Sequence, residues 1–105
     1  MPAETDRHER TLMCWPTNER RAALWHDQLD AARAVYAEVA RAIVRHEPVT
    51  MVAAPSDAAG ACVACGPDVE VRALPINDAW MRDSGPIIVR APDATRHAVH
   101  FGFNA

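Results

Sequence analysis

Short apolar runs and one long amphipathic segment dominate the first half of the chain. Apolar runs bounded by proline, glycine or polar turn residues are typical of buried strands. From residue 19 to about residue 46, apolar positions instead recur every three or four residues, which predicts a helix. Residues 58–65 predict a second, shorter helix that ends at a Gly-Pro pair. The predicted strands are residues 11–15, 49–54, 69–74, 87–89 and 97–103.

The long helix is predicted to bury one apolar face against a sheet or another helix. Thr17 and Asn18 supply N-cap chemistry before it, Pro48 ends it, and His46 lies in its last turn. Asp30, Arg33, Arg41 and Arg45 fall mainly outside the apolar stripe. The stripe itself consists of Leu24, Ala31, Val35, Val39 and Ala42, widened by Tyr36, Ile43 and Val44.

The order of these elements predicts an α/β fold. A chain of 105 residues fits one domain, and its last two strands are expected to form a hairpin. Residues 55–57 predict a turn in which Asp57 caps the second helix. Apolar Phe101 and Phe103 stand close to the last residue, where a domain more often ends in polar residues. We therefore expect the chain to be a partial domain, part of something longer.

Composition narrows the class of protein further. Half of the residues are hydrophobic and the formal net charge is −3, which is ordinary for a globular protein. No basic surface is evident, so nucleic acid is not the expected partner. No apolar run approaches the roughly 20 residues of a membrane span, and the polar N-terminus does not resemble a signal peptide. Three cysteines are an odd count, which favours a reducing, cytoplasmic location.

Residues 76–86 form the part of the sequence that is richest in candidate chemistry. This predicted loop follows a strand and places Asp78 and Asp83 on either side of Trp80. A carboxylate accepts two parallel N–H bonds from a guanidinium, and an indole face attracts a planar cation. The residues alone leave a second interpretation open, in which Arg82 and Asp83 form internal ion pairs and Trp80 belongs to the core.

Four stretches in the same order carry a resemblance to a known family. Residues 77–86 match Asn-Asp-x-Trp-x-Arg-Asp-x-Gly-Pro, and residues 2–4 with 8–11 match Pro-Ala-Glu and His-Glu-Arg-Thr. Trp15-Pro16 matches a Trp-Pro after the first strand, and residues 103–105 match the start of Phe-Asn-x-Trp-Gly. The chain resembles the agmatine deiminases and the bacterial-type peptidylarginine deiminases over nearly its whole length.

The resemblance implies a fold, a reaction and residue roles. Members fold as penteins, five αβ units around a pseudo-five-fold axis, of which this chain would supply the first unit and part of the next. They hydrolyse a guanidine through a cysteine thiouronium intermediate without metal or cofactor. Asp83 matches the catalytic acid that binds the guanidinium. Trp80 matches a residue that lines the substrate slot, and Asn104 lies in a segment that approaches the site in family members. Asp78 and Arg82 are expected to support the loop.

The expected substrate is agmatine, converted to N-carbamoylputrescine in putrescine biosynthesis, with peptidyl-arginine as the alternative. The family's nucleophilic cysteine and histidine have no counterpart in these 105 residues, so we expect no deiminase activity from this chain alone. The complete enzyme would bind a small guanidine and could form a homo-oligomer.

The cysteines leave one alternative open. Cys14 is expected to be a buried core residue, whereas Cys62 and Cys65 form a C-x-x-C pair that a small redox or metal-binding domain could use. His97 and His100 lie three apart on a strand, which points them to opposite faces and makes them poor joint metal ligands. A degenerate or partial gene product that folds without function, or that binds guanidines without turnover, is the third possibility.

Overall fold

The computed structural model describes residues 5–17 and 25–101. These residues belong to two compact units, one formed by residues 8–79 and the other by residues 80–101 with residues 5–7. No helix in this described part of the chain is long and apolar enough to cross a membrane.

The unit of residues 8–79 is built around a three-stranded parallel sheet. Its strands are β1 (Thr11–Cys14), β2 (Val49–Ala53) and β3 (Glu70–Ala73), with β2 in the centre. All five residues of β2 are buried, and strands cover both of its edges. The three predicted strands are confirmed to within one residue at each end.

Two helices pack on one face of this sheet. They are α1 (Leu29–Ile43), preceded by a 3-10 turn at His26–Gln28, and α2 (Ala58–Cys65). Both helices contribute to the same buried cluster as alternate residues of β2, so both lie on one face. Trp25 also packs edge-on against Tyr36 of α1, with ring centroids 6.4 Å apart. The cluster consists of Trp15, Ala37, Ala40, Val49, Met51, Ala53, Ala61, Cys65 and Val69.

The predicted apolar stripe of the long helix is wrong. Val35 is 56% exposed, and Val39, Ala31 and Ala42 are also exposed, whereas α1 buries Ala37 and Ala40. Small side chains let the helix approach the sheet closely, so packing selected alanines over the more hydrophobic valines. The three residues predicted to widen the stripe do pack partly on the core, namely Tyr36, Ile43 and Val44.

The ends of the predicted helices also need correction. α1 ends at Ile43, and His46 lies in the following turn, where its N–H donates to the Ile43 carbonyl. Asp57 occupies the N-cap position of α2, but its carboxylate makes no capping hydrogen bond. The predicted start of the long helix, including Asn18 and Leu24, lies outside the described residues.

Arg33 explains why Asp57 does not cap. Its Nη2 atom lies 2.7 Å from Oδ1 of Asp57, and its Nε donates to the Pro16 carbonyl at 3.0 Å. The two side chains are only 26% and 18% exposed. Since Pro16 follows β1 and Asp57 follows β2, one guanidinium from α1 joins the two connections at the carboxyl edge of the sheet. Arg33 was predicted outside the buried stripe, and it instead lies half-buried on the inner side.

The opposite edge of the sheet has its own polar network. Glu70 accepts hydrogen bonds from the Thr50 hydroxyl at 2.9 Å, from Arg10 at 2.7 Å and from Arg72 at 2.7 Å. These bonds lower the pKa of the Glu70 carboxyl, with the Thr50 bond contributing most. Because Thr50 and Glu70 are register partners, the network fixes β3 against β2.

The second unit contains one helical turn and a hairpin. The turn is α3 (Met81–Ser84), and the hairpin pairs β4 (Ile87–Arg90) with β5 (Arg96–Val99) in antiparallel register. The predicted hairpin is therefore confirmed, although its second strand ends at Val99 and so does not reach Phe101. In the connection Asp93 accepts hydrogen bonds from both the N–H and the hydroxyl of Thr95, which lets Ala94 adopt a φ of 67°.

We expect Arg33→Met to destabilise this protein by about 1–3 kcal/mol, because it leaves the half-buried Asp57 carboxylate and the Pro16 carbonyl without their donor. Urea unfolding followed by circular dichroism measures the loss. The matched control is Arg45→Met, at an exposed position for which about 0.5 kcal/mol or less is expected. Equal effects of the two substitutions would show that the Arg33 bridge contributes nothing.

Candidate functional site

The candidate site is built on the short helical turn α3, where the sequence predicted an irregular loop. The Trp80 carbonyl accepts three hydrogen bonds, from the N–H of Asp83 at 3.1 Å, the N–H of Ser84 at 3.0 Å and the Ser84 hydroxyl at 2.8 Å. The Gly85 N–H then donates to the Met81 carbonyl at 2.8 Å and closes the turn. The backbone that carries Asp83 is thus held by its immediate neighbours.

Gly85 has a steric role that sequence reasoning missed. A Cβ atom at this position would lie 2.5 Å from the Met81 carbonyl oxygen and 2.6 Å from the Met81 sulfur. Since the nearer atom belongs to the backbone, no side-chain rotation would relieve the contact. The glycine three residues after Arg82 was the available signal, because glycine commonly marks a close backbone approach.

Trp80 and Asp83 both face solvent on this turn. Trp80 is 60% exposed, which contradicts the interpretation of this tryptophan as a core residue. Asp83 is also exposed, and within residues 5–17 and 25–101 no cation forms an ion pair with its carboxylate. An exposed carboxylate and an exposed indole three residues apart on one turn can receive a planar cation from outside. Arg82, between them in sequence, is exposed as well.

Asp78 belongs to the other unit and has a different environment. It is half-buried, and its charge acts on two groups of the sheet-and-helix unit, Cys14 and Tyr36. Burial, and secondly the Asp78 charge, raise the pKa of the Cys14 thiol to about 11. Burial is also the main cause that raises the pKa of the Tyr36 hydroxyl. The supporting role of Asp78 in the loop stays a prediction.

Cys14 is 2% exposed, which confirms its prediction as a buried core residue. Cys65 is buried and Cys62 is exposed, and all three thiols are free. Burial raises the pKa of Cys65, and the nearby Arg41 guanidinium acts in the opposite direction. A catalytic redox thiol has a lowered pKa and commonly lies at a helix N-terminus, whereas Cys65 is the last residue of α2.

The metal-binding alternative gains no support from the described part of the chain. There, no three His, Cys, Asp or Glu side chains are grouped so that they could hold a metal ion. His97 contacts the Thr95 hydroxyl at 3.2 Å. Asn104, the remaining predicted site residue, lies outside the described residues.

Comparison with known proteins gives a consistent set of matches. The sequence model of the Porphyromonas-type peptidyl-arginine deiminase family matches residues 1–105. A Streptomyces coelicolor protein provisionally named an agmatine deiminase is 45% identical over 104 residues, which are 99% of this chain and 30% of that protein. The agmatine deiminase of Stutzerimonas stutzeri is 39% identical over 106 residues, covering 100% of this chain and 28% of that enzyme.

A solved structure shows the same fold. The structure of Enterococcus faecalis agmatine deiminase superposes with a TM-score of 0.84 at 28% identity, over 93% of this chain and 26% of that one. The chain therefore spans less than a third of the length of the relatives that it matches.

We expect Gly85→Ala to open the α3 turn, because the added methyl group overlaps the Met81 carbonyl. Hydrogen–deuterium exchange should show faster exchange at the amides of Asp83, Ser84 and Gly85. Adding Met81→Ala should not restore protection, because the backbone oxygen remains. The matched control is Gly60→Ala in α2, where an added Cβ meets nothing within 4 Å and alanine stabilises a helix by about 0.5–1 kcal/mol. Unchanged exchange in Gly85→Ala would contradict the steric role.

Proposed function

This chain belongs to the Porphyromonas-type peptidyl-arginine deiminase family, and from that membership we propose that it supplies the guanidinium-binding wall of a guanidine deiminase. The observation that carries the proposal is the exposed carboxylate of Asp83, held on a hydrogen-bonded turn with the exposed Trp80 ring at its start. Within the described residues this carboxylate has no internal cation to neutralise it. A guanidinium would supply that charge.

In the proposed reaction Asp83 acts as a binding and orienting acid. Its two oxygens accept two N–H bonds from the guanidinium, and Trp80 covers one face of the planar cation. Fixing the plane of the guanidinium presents its central carbon to a thiolate that attacks perpendicular to that plane. Ammonia leaves from the resulting adduct, and water then releases the ureido product from the thiouronium intermediate. Arg82 and Asp78 are proposed to support the loop, and Asn104 to approach the substrate.

None of the three cysteines of this chain suits the role of the nucleophile. Cys14 and Cys65 are buried, and burial raises the pKa of each thiol. Cys62 is exposed, but it lies in none of the stretches that carry the family resemblance. We therefore propose that the attacking thiolate and its proton-transfer histidine come from the longer polypeptide that the relatives possess.

Agmatine is the proposed substrate, since the curated relatives carry that activity in their names. The family description names peptidyl-arginine, which presents the same guanidinium on a different tail, and this is the second candidate. With agmatine as substrate, we also propose that the complete enzyme is a five-fold αβ propeller and forms a homo-oligomer. We propose that it acts in the cytoplasm, in putrescine biosynthesis. The Asp83 site recognises the group that both substrates share.

In the enzyme that carries this chain, we expect Asp83→Ala to reduce kcat/KM for agmatine by at least about 100-fold, because two charge-assisted hydrogen bonds to the reacting group are lost. Ammonia release and ureido-product formation measure turnover. Asp68→Asn is the matched control, since it removes an exposed carboxylate from the other unit and should leave kcat/KM unchanged. Asp83→Ala with near-normal kcat/KM and an intact fold would contradict the assignment.

A further inference from the structure

Cys62 and Cys65 form a thiol pair that the proposed deiminase chemistry does not use. They are the fifth and the last residues of α2, and both are free thiols. Cys62 is exposed to solvent, whereas Cys65 is 2% exposed and belongs to the hydrophobic core cluster. One thiol of the pair can thus meet a reagent from solution, and the other cannot.

Helix geometry places the two residues one turn apart on α2. With a rise of 1.5 Å and a rotation of 100° per residue, Cα atoms three positions apart are separated by about 5 Å. That value lies inside the range of about 4.4–6.8 Å over which Cα atoms are bridged by a disulfide. Cβ atoms at this spacing are about 5–6 Å apart and must approach to about 3.5–4.5 Å, so the last turn of α2 has to tighten when the bond forms. Both residues lie in the last turn, which the Gly66 N–H closes on the Cys62 carbonyl at 3.0 Å.

A cation lies beside this turn. The Arg41 guanidinium, from α1, donates a hydrogen bond of 2.5 Å to the carbonyl of Ala64, the residue that precedes Cys65. Burial raises the pKa of the Cys65 thiol, and the positive charge of Arg41 offsets part of that rise. Arg41 therefore stabilises the thiolate form of Cys65, the form that attacks a disulfide.

We propose that Cys62 and Cys65 are a thiol–disulfide exchange site that closes to an intrahelical disulfide when the protein meets a low-molecular-weight disulfide. The Cys62 thiolate attacks one sulfur of that disulfide, a mixed disulfide forms on Cys62, and the first small thiolate leaves. The Cys65 thiolate then attacks the sulfur of Cys62, the Cys62–Cys65 bond forms, and the second small thiolate leaves. Two protein thiols are oxidised, the small disulfide is reduced to two thiols, and each leaving thiolate takes up one of the released protons.

The division of roles follows from burial. Cys62 is the entry thiol because it alone of the pair is accessible, and Cys65 resolves the mixed disulfide because its partner sulfur lies one helical turn away. Cys14 is buried in the sheet and should not react, which makes it an internal control. The site is independent of Asp83 and Trp80, so its failure would leave the deiminase proposal untouched.

Oxidised glutathione is the probe for the native protein, under anaerobic conditions, followed by denaturation, alkylation with iodoacetamide and trypsin. Residues 46–72 form one tryptic peptide that holds both cysteines, and Cys14 falls in a separate peptide of residues 11–20. We expect peptide 46–72 to lose the mass of two hydrogen atoms and to resist alkylation. In Cys65→Ser the peptide should retain glutathione on Cys62, and in Cys62→Ser it should carry an alkylated Cys65.

A time course of the wild-type protein keeps the proposal testable even where a serine variant unfolds. Glutathione should appear on peptide 46–72 and then disappear as the lighter peptide accumulates, and Arg41→Met should slow that second step. Persistent glutathione in the wild type would overturn the proposal. It would equally be overturned by an unmodified wild-type peptide, or by oxidation of Cys62→Ser at the wild-type rate.

Discussion

The sheet-and-helix unit depends on the complete burial of its central strand. A strand with no exposed residue needs hydrogen-bonding partners on both edges, which β1 and β3 provide, and apolar cover on its helical face, which α1 and α2 provide. Since all three strands are parallel, the connections that follow them all leave from the carboxyl ends of the strands. Arg33 joins two of these connections there, and the third leads through Asp78 toward α3.

The strands were predictable because their sequence and their environment agree. A largely apolar run such as residues 49–54, bounded by prolines, favours a central parallel strand in a small α/β protein. The buried face of α1 was not predictable from hydrophobicity, because Val35 and Val39 outrank Ala37 and Ala40 on any apolar scale. Packing against a sheet also favours small side chains, because they let the helix approach closely. The position of Arg33 was not predictable either, because its ion-pair partner Asp57 is distant in sequence.

The candidate site was also predictable in part: its residue types were, and its backbone conformation was not. The residue types at Trp80 and Asp83 suggested a receptor for a planar cation, and their exposure agrees with that suggestion. The helical turn that carries Asp83 was missed, because four residues are too few to establish a period. Its stability comes from three hydrogen bonds to one carbonyl and from the absence of a side chain at Gly85. Both depend on backbone geometry that residue types only hint at.

The role of an exposed acid and an exposed ring is established by the ligand that they bind. The most direct measurement is therefore a crystal structure of the complete protein that carries this chain, with a guanidinium compound that it does not hydrolyse. We expect two guanidinium nitrogens within about 3 Å of the Asp83 carboxylate oxygens, with the cation plane against the Trp80 ring. A guanidinium bound elsewhere, with Asp83 facing solvent, would contradict this expectation.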